Sequence, residues 1–189
     1  MKYIFLIGGS GTGKTTLAKR LEEFCPEKYK RTLELSTRTI RDGEINGDDY
    51  KFVSDSEFEK LLEKGLFESV EHQFYPSRYG AEFEELDSEK WNIVIVCIEG
   101  FMSAIKHVRL YDKAVLINII SDTNLDISRE GRNPQFEENI NKAVLKNIFA
   151  DDPRVNNIKY VELFLSTLKN IRNSKDDLLA YFDDILDNN

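Results

Sequence analysis

The chain has 189 residues, enough for one domain with a core and a small insertion. Hydrophobic residues make up 41% of it, which indicates a folded globular protein rather than a disordered one. Its formal net charge of -8 argues against a protein that binds nucleic-acid polymers non-specifically, because a polyanion would be repelled.

Short apolar runs alternate along the chain with segments of helical periodicity. The runs predict strands at 2–7, 31–36, 93–98, 114–120 and 158–164. The periodic segments predict helices at 14–24, 100–110, 122–130, 135–149 and 175–187. Such alternation is typical of a parallel sheet covered by helices on both faces. We therefore expect a three-layer α/β fold in a single domain, residues 1–189, with its core in 1–36 and 91–189.

The stretch GGSGTGKTT, the phosphate loop (residues 8–16), follows the first predicted strand and opens the first helix. It fits the pattern G-x-x-x-x-G-K-[ST] through Gly8, Gly13, Lys14 and Thr15. Its N–H groups would surround a nucleotide phosphate, Lys14 would reach the β- and γ-phosphates, and Thr15 would hold Mg²⁺. The predicted ATP-binding residues are Gly8, Gly9, Ser10, Gly11, Thr12, Gly13, Lys14, Thr15 and Thr16. The loop alone leaves an ATPase, a GTPase and a kinase open.

Residues 37–90 interrupt the alternation and predict a small α+β insertion. Its first part is polar and punctuated by glycine, as in a loop. Ser54 and Glu57 form a capping box that starts a helix, and Gly65 ends it. The stretch 67–74 then alternates like a strand.

Two arginines, Arg38 and Arg41, lie three residues apart in the polar segment STRTIRDGEINGDDYKF, residues 36–52. A guanidinium fork matches two phosphate oxygens, and the phenol of Tyr50 adds a donor. Gly43 and Gly47 permit sharp turns. A cationic segment beside a phosphate loop predicts a second ligand that carries a phosphate.

This segment resembles the acceptor loop of the guanylate kinase family, T-R-x-x-R-x-G-E-x-x-G-x-D-Y-x-F, and is called the acceptor loop below. The matching residues are Thr37, Arg38, Arg41, Gly43, Glu44, Gly47, Asp49, Tyr50 and Phe52. The resemblance is strong over residues 4–99 and patchy beyond them. It implies transfer of a phosphoryl group from MgATP to a nucleoside monophosphate. Arg38, Arg41 and Tyr50 would hold the acceptor phosphate.

Several positions in the insertion depart from the family pattern. Arg78, followed by Tyr79, stands where the family has the first tyrosine of Tyr-Tyr-Gly, and Tyr75 is an alternative phenol for the same phosphate. The family's base-reading glutamate matches Glu68, with Glu71 as the alternative.

The family's D-x-D after the third strand of the core is replaced by Cys97-Ile98-Glu99. Of the two acidic positions in this motif, only the second is acidic here, as Glu99. The resemblance implies that Glu99 and Glu68 accept hydrogen bonds from the base. Cys97 lies in an apolar run and is expected to be a small core residue.

The resemblance also implies a mobile lid at about 126–140, in which Arg132 stays in register. Two further arginines of the family fall on Ser128 and Ala143. Arg129 and Lys142 are adjacent to these positions, and Lys146 follows one helical turn later. Because lid cations stabilise charge on the transferred group, the expected catalytic residues are Lys14, Arg41, Arg129 and Arg132.

The family reads guanine O6 with small hydroxyl residues, and the corresponding positions here are Glu34 and Ala81. An ionised Glu34 would face the lone pairs of O6, and an unpaired buried polar group costs about 1–3 kcal/mol. We therefore expect weakened or altered guanine preference. Ser36 or a backbone N–H is the alternative donor to O6.

The two cysteines, Cys25 and Cys97, belong to no paired motif, which suits the reducing cytoplasm and argues against a zinc site. The apolar part of the first nine residues is short for a secretory signal, and the run 93–98 is far below membrane-spanning length. We therefore expect a cytoplasmic protein, monomeric or homodimeric, that binds neither membrane nor nucleic-acid polymer.

Together these residues predict a kinase that transfers the γ-phosphoryl group of ATP, with Mg²⁺, to a nucleoside monophosphate. The acceptor would be GMP, dGMP or a monophosphate with an altered base. The altered lid leaves open a non-catalytic module that binds a nucleotide or a protein partner. A stand-alone P-loop ATPase is a third possibility.

Overall fold

The structure is a computed structural model that describes residues 1–9, 11–63, 66–69, 77–82, 86–106, 108–109, 112–122 and 134–187. The strands are β1 (Lys2–Gly8), β2 (Tyr29–Arg31), β3 (Glu34–Ser36), β4 (Lys51–Phe52), β5 (Leu66–Ser69), β6 (Tyr79–Glu82), β7 (Trp91–Ile95), β8 (Lys113–Ile120) and β9 (Ile158–Phe164). The helices are α1 (Lys14–Phe24), α2 (Asp55–Glu63), α3 (Ile98–Ala104), α4 (Pro134–Asp151), α5 (Leu165–Ile171) and α6 (Lys175–Asp187). None of these helices is long and apolar enough to cross a bilayer.

The described strands form two sheets. The first has five strands in the order β2-β7-β1-β8-β9, and every pairing in it is parallel. The second has the order β4-β3-β6-β5, with β6 antiparallel to both of its neighbours. The predicted parallel sheet is therefore confirmed, and the second sheet belongs to the insertion.

Strand β1 lies at the centre of the parallel sheet and is buried on both faces. Ile4 and Leu6 pack with Leu17 of α1 in a cluster that also includes α6. Phe5 points to the other face, where its ring meets that of Phe101 in α3 at 5.4 Å between centroids. Because side chains alternate along a strand, one apolar run supplies both clusters, and the predicted three layers follow.

The structure differs from the predicted elements at several boundaries. The strand expected at 31–36 is divided between two sheets, since Arg31 ends β2 and Glu34 begins β3. The sheet of the insertion thus begins within the segment assigned to the core. Helix α3 begins two residues earlier than expected, because Cys97 caps it. Helix α5 was not predicted, and most of the expected helix at 122–130 lies outside the described residues.

Helix α2 of the insertion starts with the predicted capping box. The Ser54 N–H donates to Glu57 Oε2 at 2.8 Å, and the Glu57 N–H donates to Ser54 Oγ at 3.3 Å. Phe58 of this helix is fully buried against Leu35 of β3. One face of the second sheet is therefore closed by α2, and its other face turns toward the core, where Ala81 packs in the cluster of Phe5 and Phe101.

Candidate active site

The phosphate loop runs from the end of β1 to the start of α1, as predicted. Gly13 adopts a left-handed conformation with φ of 87° and occupies the N-cap position of α1. The Lys14 ammonium donates to the carbonyl oxygens of Gly8 and Gly9 at 2.8 and 2.9 Å. Thr12 Oγ1 donates to Gly9 O at 2.9 Å and braces the turn. The loop thus directs a helix N-terminus and a lysine to one place, the arrangement that suits an anion.

Gly8 has a steric role at the base of the loop. A Cβ on Gly8 would lie 2.7 Å from the carbonyl oxygen of Ile119 in β8. The phosphate loop therefore packs directly on the backbone of the neighbouring strand, and glycine is needed there.

The other residues predicted to bind ATP surround the same turn, except Ser10, which lies outside the described residues. Thr15 is half-buried in the first turn of α1, and Thr16 is exposed. Among the described residues, no group of three or more His, Cys, Asp and Glu side chains could hold a metal ion. A Mg²⁺ ion would fit here only as a partner of the Thr15 hydroxyl, the nucleotide phosphates and water.

The face of the second sheet opposite α2 carries several of the predicted acceptor residues. Glu34 pairs with Ala81 across β3 and β6, and Ser36 pairs with Tyr79. Residues that pair across strands, and residues two apart along one strand, share a face. The Tyr79 ring lies 6.2 Å from the ring of Tyr50, between centroids. This face therefore meets the end of the acceptor loop.

Arg38 is held rigidly in the acceptor loop. Its guanidinium donates to both oxygens of Glu44, each at 2.7 Å. It also lies 4.8 Å from the centroid of the Tyr50 ring and 5.0 Å from that of Phe52. Arg41 is exposed, and its N–H donates to the same Glu44 carboxylate at 2.9 Å. Glu44 therefore fixes the guanidinium of Arg38 and the backbone of Arg41.

Arg78 lies on the opposite side of the second sheet from Tyr79. Its guanidinium is 4.5 Å from the centroid of the Phe58 ring and forms an ion pair with Glu59 of α2. Its backbone pairs with Thr37, whose N–H donates to Arg78 O at 3.1 Å. The structure thus brings Tyr79 to Tyr50 and does not bring Arg78 there.

Glu34 projects among the groups expected to bind phosphate. Its carboxyl is hydrogen-bonded to Tyr50, and the charges of Lys14 and Arg38 act on it. Burial nevertheless raises the pKa of Glu34 to about 8, against the stabilising effect of these neighbours. The pKa of the Tyr50 phenol is raised in turn by the Glu34 carboxyl and by burial. We call the space bounded by Lys14, Glu34, Arg38, Tyr50 and Tyr79 the acceptor cleft.

Cys97 lies beside this cleft and is not a simple core residue. It is half-buried at the N-cap of α3, where its sulfur accepts a hydrogen bond from the Gly100 N–H at 3.4 Å. Burial raises the pKa of its thiol to about 12, and Glu99 and Glu34 add to the shift. Cys97 therefore stays a thiol at neutral pH, and Glu99 lies within hydrogen-bonding reach of it.

Some predicted site residues can be placed only in part. Glu68 belongs to β5, where its backbone pairs with Gly80. The alternatives Glu71 and Tyr75 lie outside the described residues, as do Arg129, Arg132 and the other lid residues up to 133. Helix α4, which the resemblance places after the lid, carries Lys142 as an exposed residue.

The structure adds two groups that sequence reasoning missed. Lys19 of α1 forms ion pairs with Asp48 and Asp49 of the acceptor loop at 2.8 and 2.7 Å, and Arg31 pairs with Asp48 at 3.1 Å. Arg172, after α5, has a guanidinium nitrogen 3.9 Å from the position of a Cβ on Gly13. The separation in sequence hides both contacts.

Comparison with known proteins identifies similar chains. The family model described as guanylate kinase matches residues 1–150. The guanylate kinase of Nostoc sp. is 36% identical over 143 residues, which cover 74% of this chain and 70% of that protein. The guanylate kinase of Helicobacter pylori is 32% identical over 148 residues, which cover 75% of this chain and 69% of that protein.

A solved structure supports the fold independently. The crystal structure of guanylate kinase from Anaplasma phagocytophilum has a TM-score of 0.56 to this chain. The superposed region covers 95% of this chain and 85% of the Anaplasma chain, at 19% sequence identity. At that level of identity the similarity concerns the fold alone.

Proposed function

The chain belongs to the guanylate kinase family, and from this premise we propose that it phosphorylates GMP or dGMP with ATP. Membership makes it an ATP-dependent nucleoside monophosphate kinase. The observation that carries the assignment is that Lys14 of the phosphate loop and Arg38 of the acceptor loop act on the same carboxyl, that of Glu34. A donor phosphate and an acceptor phosphate can therefore meet between these two loops.

On the donor side, the N–H groups at the start of α1 would bind the phosphates of ATP. Lys14 would leave the carbonyl oxygens of Gly8 and Gly9 and reach the β- and γ-phosphates. Thr15 would hold Mg²⁺, which neutralises charge on those phosphates when it is bound. The protein's part in such a reaction is positioning and charge stabilisation rather than covalent chemistry.

On the acceptor side, Arg38, Arg41, Tyr50 and Tyr79 would hold the phosphate of the monophosphate. Arg38 is already fixed by Glu44, so little side-chain freedom would be lost on binding. The expected role of Arg78 at this phosphate stays a prediction. It would require the guanidinium to leave Glu59 and Phe58.

We propose that cations of the lid stabilise the negative charge on the transferred phosphoryl group. Arg132, with Arg129 or Lys142, would supply the cations there, and closure would exclude the water that could otherwise hydrolyse ATP. Both cysteines are free, which supports a cytoplasmic location for this reaction.

The test is coupled ADP release with ATP, Mg²⁺ and a panel of ribo- and deoxynucleoside monophosphates. Transfer to GMP or dGMP supports the proposal. ADP release without any acceptor would instead make the chain an ATPase, and nucleotide binding without turnover would make it a non-catalytic module. Lys14→Ala should abolish transfer while circular dichroism stays unchanged, because Lys14 is the first residue of α1 and its side chain is not part of the core. Lys113→Ala is the matched control, since this exposed lysine starts β8 at the opposite end of the sheet.

A further inference from the structure

Helix α1 contacts the acceptor loop through a lysine that is separate from the phosphate loop. Lys14 begins this helix, and Lys19 follows five residues later, about 7.5 Å along the axis. The Lys19 ammonium lies 2.8 Å from Asp48 Oδ2 and 2.7 Å from Asp49 Oδ1. Its hydrogen bonds lower the pKa of both carboxyl groups, which therefore stay ionised at neutral pH. One helix thus contacts both loops to which the proposed function assigns phosphates.

A second cation reaches the same part of the acceptor loop from β2. Arg31 donates to the backbone carbonyl oxygen of Asp48, and one of its guanidinium nitrogens lies 3.1 Å from Asp48 Oδ1. Glu22 of α1 holds this arginine, since its carboxylate accepts from the Arg31 N–H at 2.9 Å and lies 3.6 Å from Arg31 Nε. The Arg31 side chain is only 12% exposed. Arg31 is therefore fixed to the core and cannot follow the loop outward without losing these contacts.

The aspartates that these cations contact lie next to a residue of the acceptor cleft. Asp49 directly precedes Tyr50, whose ring centroid lies 4.8 Å from the Arg38 guanidinium. The Tyr50 ring also meets that of Tyr79, at 6.2 Å between centroids. A shift of Asp49 away from α1 would therefore displace Tyr50 from the groups with which it is proposed to bind the acceptor phosphate.

Resting on the kinase function proposed above, we propose that Lys19 and Arg31 are positioning residues, which hold the acceptor loop against α1 in the arrangement that binds the acceptor. They act through Asp48 and Asp49 and not on a substrate. If a binding site is in place for only a fraction of the time, the apparent dissociation constant of its ligand rises by the inverse of that fraction. Fastening the loop before the acceptor arrives therefore strengthens acceptor binding, and it leaves ATP binding and the transfer step unchanged.

The first test is Lys19→Met, which keeps an apolar side chain of similar length and removes the charge. Two partly exposed ion pairs are lost, so the KM for GMP should rise about fivefold in the coupled assay. The kcat and the affinity for an ATP analogue should stay at the wild-type values, as for a change that affects acceptor binding alone. Lys19→Arg should restore most of the wild-type KM, because a guanidinium can pair with the same carboxylates. A KM for GMP that stays at the wild-type value in Lys19→Met would overturn the inference.

Asp48→Asn separates fastening of the loop from direct contact between Lys19 and the acceptor. This variant should raise the KM for GMP as Lys19→Met does, because Asp48 pairs with both Lys19 and Arg31. Combining it with Lys19→Met should raise the KM by less than the product of the two single effects, since the two changes remove a shared contact. If Lys19 bound the acceptor directly, Asp48→Asn would release the lysine and lower the KM, and that result would refute the inference.

Lys28→Met is the matched control for an ion pair outside the cleft. Lys28 pairs with Asp183 of α6 at 2.6 Å, and these side chains are about as exposed as those of Lys19 and Asp48. Lys28→Met should keep the wild-type KM for both substrates, and its Tm should be similar to that of Lys19→Met. A Tm of Lys19→Met well below that of the control, with equal rises in the KM for ATP and GMP, would indicate a general structural role and contradict the inference.

The same assays distinguish failure of this inference from failure of the proposed function. If the wild type phosphorylates no monophosphate, the proposed function itself fails. If the wild type phosphorylates GMP but Lys19→Met has the same KM for GMP as Lys28→Met, only this inference fails.

Discussion

The anchoring of Arg38 predicts that a lysine cannot replace it, although the charge would be kept. Arg38 donates to Glu44 through two nitrogens at 2.7 Å and lies over the rings of Tyr50 and Phe52, which contact each other. Its side chain is only 9% exposed. Lysine has neither the fork nor the flat surface that this site uses.

The cost can be estimated from these contacts. Losing one of two charge-assisted hydrogen bonds costs about 1.5 kcal/mol, and losing the stacking costs about 1 kcal/mol. Because these contacts position the guanidinium before the acceptor binds, up to about 2.5 kcal/mol would have to be repaid on binding, a rise of up to about 70-fold in the acceptor KM. Arg38→Lys should show this rise in the coupled assay with GMP, while its affinity for an ATP analogue stays at the wild-type value.

Arg20→Lys is the control for the same chemistry outside the cleft. Arg20 also pairs with a glutamate, Glu23 at 2.8 Å, and lies 5.7 Å from the ring centroid of Phe24. The Arg20→Lys variant should keep the wild-type KM for GMP and the wild-type affinity for ATP, since exposed ion pairs contribute little. An Arg38→Lys enzyme within threefold of the wild type, or one that loses ATP instead of GMP, would refute the assignment.

Three further variants test other parts of the site. Gly8→Ala should lower the free energy of unfolding by about 1–3 kcal/mol, seen as a lower Tm, because its Cβ would meet the Ile119 carbonyl oxygen. Gly11→Ala should lose less stability, because the space around Gly11 is open, and equal losses would show that the contact with Ile119 is unimportant. Arg132→Ala should reduce kcat about 100-fold or more through loss of charge stabilisation, and a change under threefold in single-turnover assays would assign the role to another cation. Arg172→Ala should raise the KM for ATP and not for GMP, given its position beside Gly13; unchanged ATP kinetics would make Arg172 structural.

Local patterns explain why the phosphate loop and its flanking elements could be predicted. Strand β1, the glycine turn and helix α1 are contiguous, so the spacing of apolar residues and glycines specifies them directly. The prediction of a single strand at 31–36 was wrong, because the pattern of apolar residues does not determine which neighbouring strand a segment pairs with. After Arg31, the Thr32 N–H still donates to Ile93 O in β7 at 2.9 Å, and the chain then crosses to the second sheet.

Contacts between distant residues account for what the sequence did not reveal. Helix α5 was missed, and its first turn is capped by Asp122, which accepts from the Ser166 N–H at 2.9 Å across 44 residues. The sequence places Arg78 beside Tyr79, whereas the structure places its guanidinium near Phe58, because neighbouring residues of an extended chain face opposite ways. Its role at the acceptor phosphate stays a prediction. The pKa of Glu34 depends on burial by several elements, which no local pattern encodes.

The ion pairs between α1 and the acceptor loop make cleft opening sensitive to ionic strength. Both ends of the loop are anchored in the second sheet, whereas Lys19 and Arg31 fasten its Asp48 and Asp49 to the core. The Lys19 side chain is 33% exposed and that of Asp48 is 47% exposed, so dissolved salt can screen this attraction. A movement of the acceptor loop away from α1 would break these pairs. The release of a bound monophosphate should therefore become faster as salt is added, even where the chemical step does not change.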